Sequence, residues 1–151
     1  MKKLTFIVIA LFMLNNCGYT PIHSSSNNNF YIDVSQKNRS KLNFKIENNI
    51  KKFSNENNEN IIQLEISSNK KINIISKDEK GDPSRFSMMI SLTINILNKN
   101  NNKINKTKIY TEKFDYNNNA NKFTLKQYEK NIEDNLINKI IERSIIYLSE
   151  L

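Results

Sequence analysis

The amino-acid sequence predicts an α+β fold, a two-layer sandwich in which two helices pack on one face of a mixed or antiparallel sheet of four or five strands. Three observations carry this. Apolar residues recur in strict period two from Phe86 to Ile96, which marks a strand with one buried face. They recur at spacings of three and four from Leu42 to Phe53, and again from Leu125 to Leu148, which marks helices with one apolar stripe. Elements that are apolar on one side only must bury that side against one another, and helices laid on one face of a sheet do so economically.

In chain order, residues 1–16 stand outside this domain. Lys2 and Lys3 precede an apolar run from Leu4 to Leu14, broken only by Thr5. Such a run has the length of a secretory signal core and falls short of the ~20 residues that a bilayer-spanning helix needs. It ends in Leu14-Asn15-Asn16-Cys17, which resembles the lipobox cut by lipoprotein signal peptidase, with Asn16 in place of the usual Gly, Ala or Ser. The only cysteine of the chain occupies the position the motif requires, so Cys17 is expected to carry a covalent lipid and become the mature N-terminus. Gly18 stands where an Asp would favour retention at the inner membrane, which directs the expectation to the outer membrane. Residues 17–29 lack periodicity and read as a tether; residues 30–151 are expected to form a single domain, held by packing because one cysteine allows no internal disulfide.

Phe30, Ile32 and Val34 share one face of a first short strand. Asn38 or Ser40 caps a helix whose stripe is Leu42, Ile46, Ile50 and Phe53, ending near Ser54, with Phe44 off the stripe. Asn55 to Asn60 is a polar connector. Ile62, Leu64 and Ile66 alternate with polar residues. After Ser67 to Lys71 a second apolar run, Ile72, Ile74 and Ile75, continues as one long bent strand or as two. Gly81-Asp82-Pro83 lies within the clearest turn, Lys77 to Ser84. The strand with the strongest pattern follows, carrying Phe86, Met88, Ile90, Leu92, Ile94 and Ile96 on one face. Lys99 to Lys106 reads as an Asn/Lys loop. A strand from Ile109 sets Thr111 and Lys113 against Tyr110, Glu112, Phe114 and Tyr116, either side of which could face the core, and Asn117 to Asn121 ends it. Thr124, with Gln127 three residues on, forms a capping-box pattern for a last helix to Leu151. Its stripe is Leu125, Tyr128, Ile132, Leu136, Ile140, Ile141, Ile145 and Leu148, with Lys126, Lys130, Glu133, Lys139 and Arg143 largely off it.

The charge balance is basic. Of 23 Lys and Arg, Lys2 and Lys3 fall in the signal, leaving 21 against 15 Asp and Glu, a net +6 for the mature chain. Such a surface favours an anionic partner. An exported, lipid-anchored chain rarely meets nucleic acid, so a lipid or phosphorylated glycolipid is the better expectation, beside a merely solvated surface. The abundance of Asn, Lys and Ile reads as the signature of an AT-rich genome and is not evidence of function.

Chemistry-bearing constellations are scarce. His23, the only histidine, lies in the tether, so His-based triads and metal sites built on His pairs are not available. Glu129 and Glu133 stand four apart on the last helix among Lys126 and Lys130, and read as a solvated face. Gly81 is isolated and forms no glycine-rich phosphate loop. The sequons at Asn38 and Asn105 are chance matches in an Asn-rich chain. An enzyme is the weakest class, and no metal or dissociable cofactor is expected.

The residues do carry one resemblance. Cys17-Gly18-Tyr19-Thr20-Pro21 is similar to the Cys-Gly-Phe/Tyr-x-Pro start of the lipopolysaccharide-assembly lipoprotein family (LptE, formerly RlpB), especially its alphaproteobacterial branch. The order of elements matches that family, as does the passage from Tyr116-Asn117 through a loop into Glu129 to Leu148; Asp115 stands where the family has Ser or Ala. The resemblance implies a protein anchored in the outer membrane that sits inside the LptD β-barrel as a plug, assists its assembly and binds lipopolysaccharide, without catalysing a reaction. A surface of Asn, Ser, Lys and Glu suits the polar wall of such a barrel. Candidate contacts to the phosphates are Lys77, Lys80 and Arg85 around the Gly81 turn, and Lys99, Lys103 and Lys106 between the last two strands; both sets are equally readable as solvated hairpin ends. No basic residue of the family is carried over by identity. A lipid-anchored envelope module with another partner is the alternative.

Overall fold

The structure, a computed structural model, describes residues 30–151; the expected signal, Cys17, His23 and the tether lie outside the described residues. The elements are β1 (Tyr31–Gln36), α1 (Lys41–Lys51), β2 (Ile61–Lys77), β3 (Pro83–Leu97), β4 (Ile104–Asn117) and α2 (Lys122–Ser149). One four-stranded sheet has the order β1-β2-β3-β4. β1 runs parallel to β2, as strands joined by a crossover helix can, while the β2–β3 and β3–β4 hairpins are antiparallel. The result is the expected α+β architecture, two helices and a four-stranded mixed sheet.

The run from Ile61 to Lys77 is one strand, which settles the count at four. Its polar middle is no break: Ser67 to Lys71 pair residue by residue with Thr93 to Met89. The register is continuous from Leu64 to Ile74 and shifts only beyond it, between Ile74 and Ser76 and between Ser76 and Lys77. β1 pairs with β2 only from Ile61 to Ile66. Beyond that point β2 has β3 on one side and, among the described residues, no strand on the other.

The core lies between the helices and one face of the sheet. Ile32, Leu64, Ile66, Met88, Ile90, Leu92 and Ile94 are sealed from solvent there. On β4 the buried side is that of Tyr110 and Tyr116, leaving Ile109 exposed on the opposite face. The Asn/Lys loop is shorter than expected, because Ile104 already pairs with Leu97 and Lys106 with Ile96. The turn closes with Asn98 N–H donating to the Lys103 carbonyl.

The helices begin where side chains satisfy their first N–H groups. Ser40 Oγ accepts from Asn43 N–H at the start of α1. α2 starts at Lys122 rather than at Thr124: Asn121 Oδ1 accepts from both Phe123 and Thr124 N–H groups, and Asn is among the best capping residues. Ile137 and Ser144 join the buried stripe of α2, whereas Tyr128 is 45% exposed. Tyr128 lies on the side of α2 away from α1, beside Phe114 of β4. α1 runs beside α2 from the Lys45–Glu133 contact to the Phe53–Ile141 level. The first turns of α2 therefore have no helical neighbour, and on the β4 side Tyr128 meets the Tyr116 ring edge-on at 6.2 Å.

Two polar side chains, Asn43 and Ser144, sit inside this core. Asn43 is 1% exposed. Its amide donates to the Asn38 carbonyl, and its Oδ1 accepts from Ser68 Oγ, tying α1 to the strand below it. Removing it strands both partners, so Asn43→Ala is expected to cost about 1–3 kcal/mol, readable as a lower urea midpoint. An unchanged midpoint would show that these bonds contribute nothing net.

Candidate functional site

The two sets of basic residues occupy opposite ends of the sheet. Lys77 ends β2, Lys80 lies in the turn, and Arg85 stands near the start of β3, opposite Asn117. Lys99 and Lys103 lie in the other hairpin and Lys106 on β4. The fifteen residues of β3 separate the two ends by roughly 45 Å, so they cannot grip one headgroup together. All six side chains are exposed, and none joins a salt bridge among the described residues.

Their electrostatic surroundings differ. The first hairpin holds Asp78, Glu79 and Asp82 beside its three cations. Asp78 Oδ1 accepts from the Lys80 and Asp82 N–H groups, and Gly81 adopts φ +85°, so this turn is built for its own closure. The second hairpin has no acidic residue from Asn98 to Lys108, and Lys108 adds a fourth cation, 4.9 Å from the centre of the Tyr147 ring. Along its own sequence the β3–β4 hairpin is therefore the more strongly basic, with Asp33 and Glu65 of the neighbouring strands beside Asn102 and Ile104.

A second basic region emerges only in three dimensions. The first turns of α2, overhanging β2, form a groove lined by Lys70, Phe123, Lys126, Gln127 and Lys130 together with the carboxylates Glu129 and Glu133. Lys70, Ile72 and Ile74 succeed one another on the same face of β2; Ile72 and Ile74 remain 41% and 51% exposed, and Phe123 73%. These residues were legible as an alternating strand and as the polar side of a helix, but nothing local signalled that they would meet.

Glu129 and Glu133 are not a solvated pair. Both are half-buried. Glu129 accepts from the Tyr116 hydroxyl at 2.7 Å, and burial together with that bond pushes the phenol pKa up. Glu133 accepts from Lys70 at 2.7 Å and from Lys45 at 2.9 Å, and Lys45 also pairs with Asp134. Burial alone would raise the Glu133 pKa, but the two ammonium groups outweigh it and hold the carboxyl below its ordinary range. A carboxyl whose folded pKa is depressed stabilises the fold above its unfolded value near 4.5, and this contribution is lost as the pH falls through the folded value. Stability is thus expected to fall with acidification below about pH 5, and Glu133→Gln should flatten that fall in denaturant titrations at successive pH values. An unchanged slope would remove Glu133 from the acid response.

The opposite face of the sheet is polar and cross-linked. Asn95 donates to Glu65 at 3.0 Å and accepts from Thr107 at 2.7 Å, and Ser91 bonds Thr111 at 3.0 Å. Among the described residues, no group of three or more His, Cys, Asp or Glu is placed to hold a metal ion, and no helix is long and apolar enough to cross a membrane.

No family model and no curated protein matches the chain. Solved structures do share its fold. A minor lipoprotein from Acinetobacter baumannii superposes with a TM-score of 0.60 at 12% identity, covering 82% of this chain and 92% of its own. An uncharacterized lipoprotein B from Nitrosomonas europaea gives 0.56 at 13% identity, covering 82% and 87%. The rare lipoprotein B from Shewanella oneidensis gives 0.55 at 10% identity, covering 78% and 95%. At such identities the likeness is one of fold, and the proteins that share the fold are bacterial lipoproteins.

Proposed function

We propose that this chain is an outer-membrane lipoprotein, anchored through Cys17, that plugs and helps assemble the LptD-type barrel exporting lipopolysaccharide, and that it catalyses no reaction. The observation that carries the reading is a coincidence of two independent features. The chain bears the Cys17-Gly18-Tyr19-Thr20-Pro21 start, and its described domain has the fold of rare lipoprotein B and other lipoproteins. The polar sheet face of Ser91, Asn95, Thr107 and Thr111 supports it, since a barrel lumen offers hydrogen-bonding groups. The test is co-purification: tagged full-length protein from detergent-solubilised outer membrane should bring down a large β-barrel. Its failure to do so would leave a lipid-anchored module with another envelope partner.

Lipopolysaccharide contact belongs with this proposal, and the charge distribution ranks the candidate residues. Lys99, Lys103 and Lys106 face no neighbouring carboxylate along their hairpin, whereas Lys77, Lys80 and Arg85 share theirs with three acids. Alanine at the first three positions together is expected to weaken lipopolysaccharide binding about tenfold at low salt, and alanine at the other three to change it far less. Binding assays on both triple variants check the order, and equal losses would refute it.

A further inference from the structure

The long strand β2 is left half-finished by its own sheet. Where β1 ends, β2 continues from Ser67 to Lys77 with β3 on one side and no strand among the described residues on the other. An unpaired edge presents a row of backbone N–H and C=O groups spaced to receive another strand. Up to Ile74 the register with β3 is regular, so this receptive stretch is eight residues long before the irregularity at Ile75.

The side chains along the edge describe what would fit. Toward the helices lie Ile72 and Ile74, both uncovered because α1 begins at the level of Ser68 and runs away from them, and beyond them rise Phe123, Lys126 and Lys130 of α2. Toward the other face points Lys71, exposed and outside every salt bridge among the described residues. Of the two carboxylates in the groove, Glu133 is already engaged by Lys45 and Lys70, and Glu129 by the Tyr116 hydroxyl. An identical edge from a second copy would bring lysine against lysine, the arrangement by which edge strands avoid pairing with themselves.

We infer that the Ser67–Ile74 edge of β2 is a docking site for an extended acidic segment of a partner protein, which adds to the sheet as a further strand. Its backbone continues the ladder, its apolar side chains cover Ile72 and Ile74, and its alternate carboxylates, on the opposite face, meet Lys71. The site is independent of the barrel reading, because it asks only for an extended acidic chain.

The test uses full-length protein in detergent and two dye-labelled octapeptides, one alternating valine with glutamate and one alternating valine with lysine. The valine–glutamate peptide should bind by fluorescence anisotropy and slow amide hydrogen exchange within residues 67–74, while the lysine peptide should not bind. Lys71→Glu, at an exposed position, should weaken the glutamate peptide roughly tenfold while leaving the thermal midpoint unchanged. Ile72→Asp, also at an exposed position, should weaken it independently. Equal binding of both peptides, protection elsewhere in the chain, or indifference to both substitutions would overturn the inference. So would self-association through this edge in the absence of peptide. A barrel pull-down can succeed or fail without affecting any of these readouts.

Discussion

Cys17→Ala is expected to abolish incorporation of labelled fatty acid and to release the chain from the membrane pellet. The chemistry leaves no substitute: a lipoprotein's lipid is attached through a thioether, and the chain has no second thiol that would accept it. Diacylglyceryl on Cys17 would supply two acyl chains and N-acylation a third, where one chain alone gives only marginal and reversible binding. Loss of the thiol therefore removes the whole anchor. Metabolic labelling and fractionation read the result directly. Continued labelling would sink the lipobox assignment. Loss of label with retention in the outer membrane would show that protein contacts suffice to hold the chain there, with the lipid serving delivery.

Ile94→Ala is expected to be the most damaging single truncation of the domain. Ile94 is sealed in the middle of β3, paired with Ile66 on one side and Lys108 on the other. Removing three buried carbons costs about 2–5 kcal/mol through lost burial and the cavity left behind. That is a large share of the ~5–15 kcal/mol that holds a typical domain, and no disulfide is available to compensate. The melting temperature should fall by roughly 10–20 °C. Ile109→Ala is the control: it lies on β4 next to Thr93 but faces away from the core at 67% exposure, and should change stability by less than about 0.5 kcal/mol. Equal effects would mean that the assignment of sheet faces is wrong.

Much of this arrangement is written locally. The alternation from Phe86 to Ile96 and the stripes of Leu42 to Phe53 and Leu125 to Leu148 each specify an element together with its buried side, because side-chain direction repeats with the backbone. Two helices and a one-sided sheet then follow. The alternation around Tyr110 was equally local but undecided, since each side of β4 carries both apolar and polar residues. Packing resolved it: the side bearing Tyr110 and Tyr116 lies under α2, where Arg143 approaches the Tyr110 ring and Glu129 receives the Tyr116 hydroxyl. Likewise Thr124 had the right pattern for a cap, yet Asn121 reached the free N–H groups first.

The candidate sites were less legible than the fold. Lys77, Lys80 and Arg85 are close in sequence and remain close in space, and so do Lys99, Lys103 and Lys106. Whether either set is a strong anion site depends on neighbouring acids and on the length of β3, which holds the two sets apart. The Glu133 cluster joins residues 88 and 63 positions away in the chain, and no local pattern encodes such a meeting.

Hydrophobic period and capping chemistry act within a few residues, so the helices and the central strand could be assigned from the chain alone. The parallel pairing of β1 with β2, the side of β4 that is buried and the bare edge beyond Ile66 arise from contacts between distant segments. They depend on how far each element extends relative to its neighbours. Ile72 and Ile74 show the difference: their alternation marks an apolar strand face, but α1 begins at the level of Ser68 and runs away from them, and that face stays exposed.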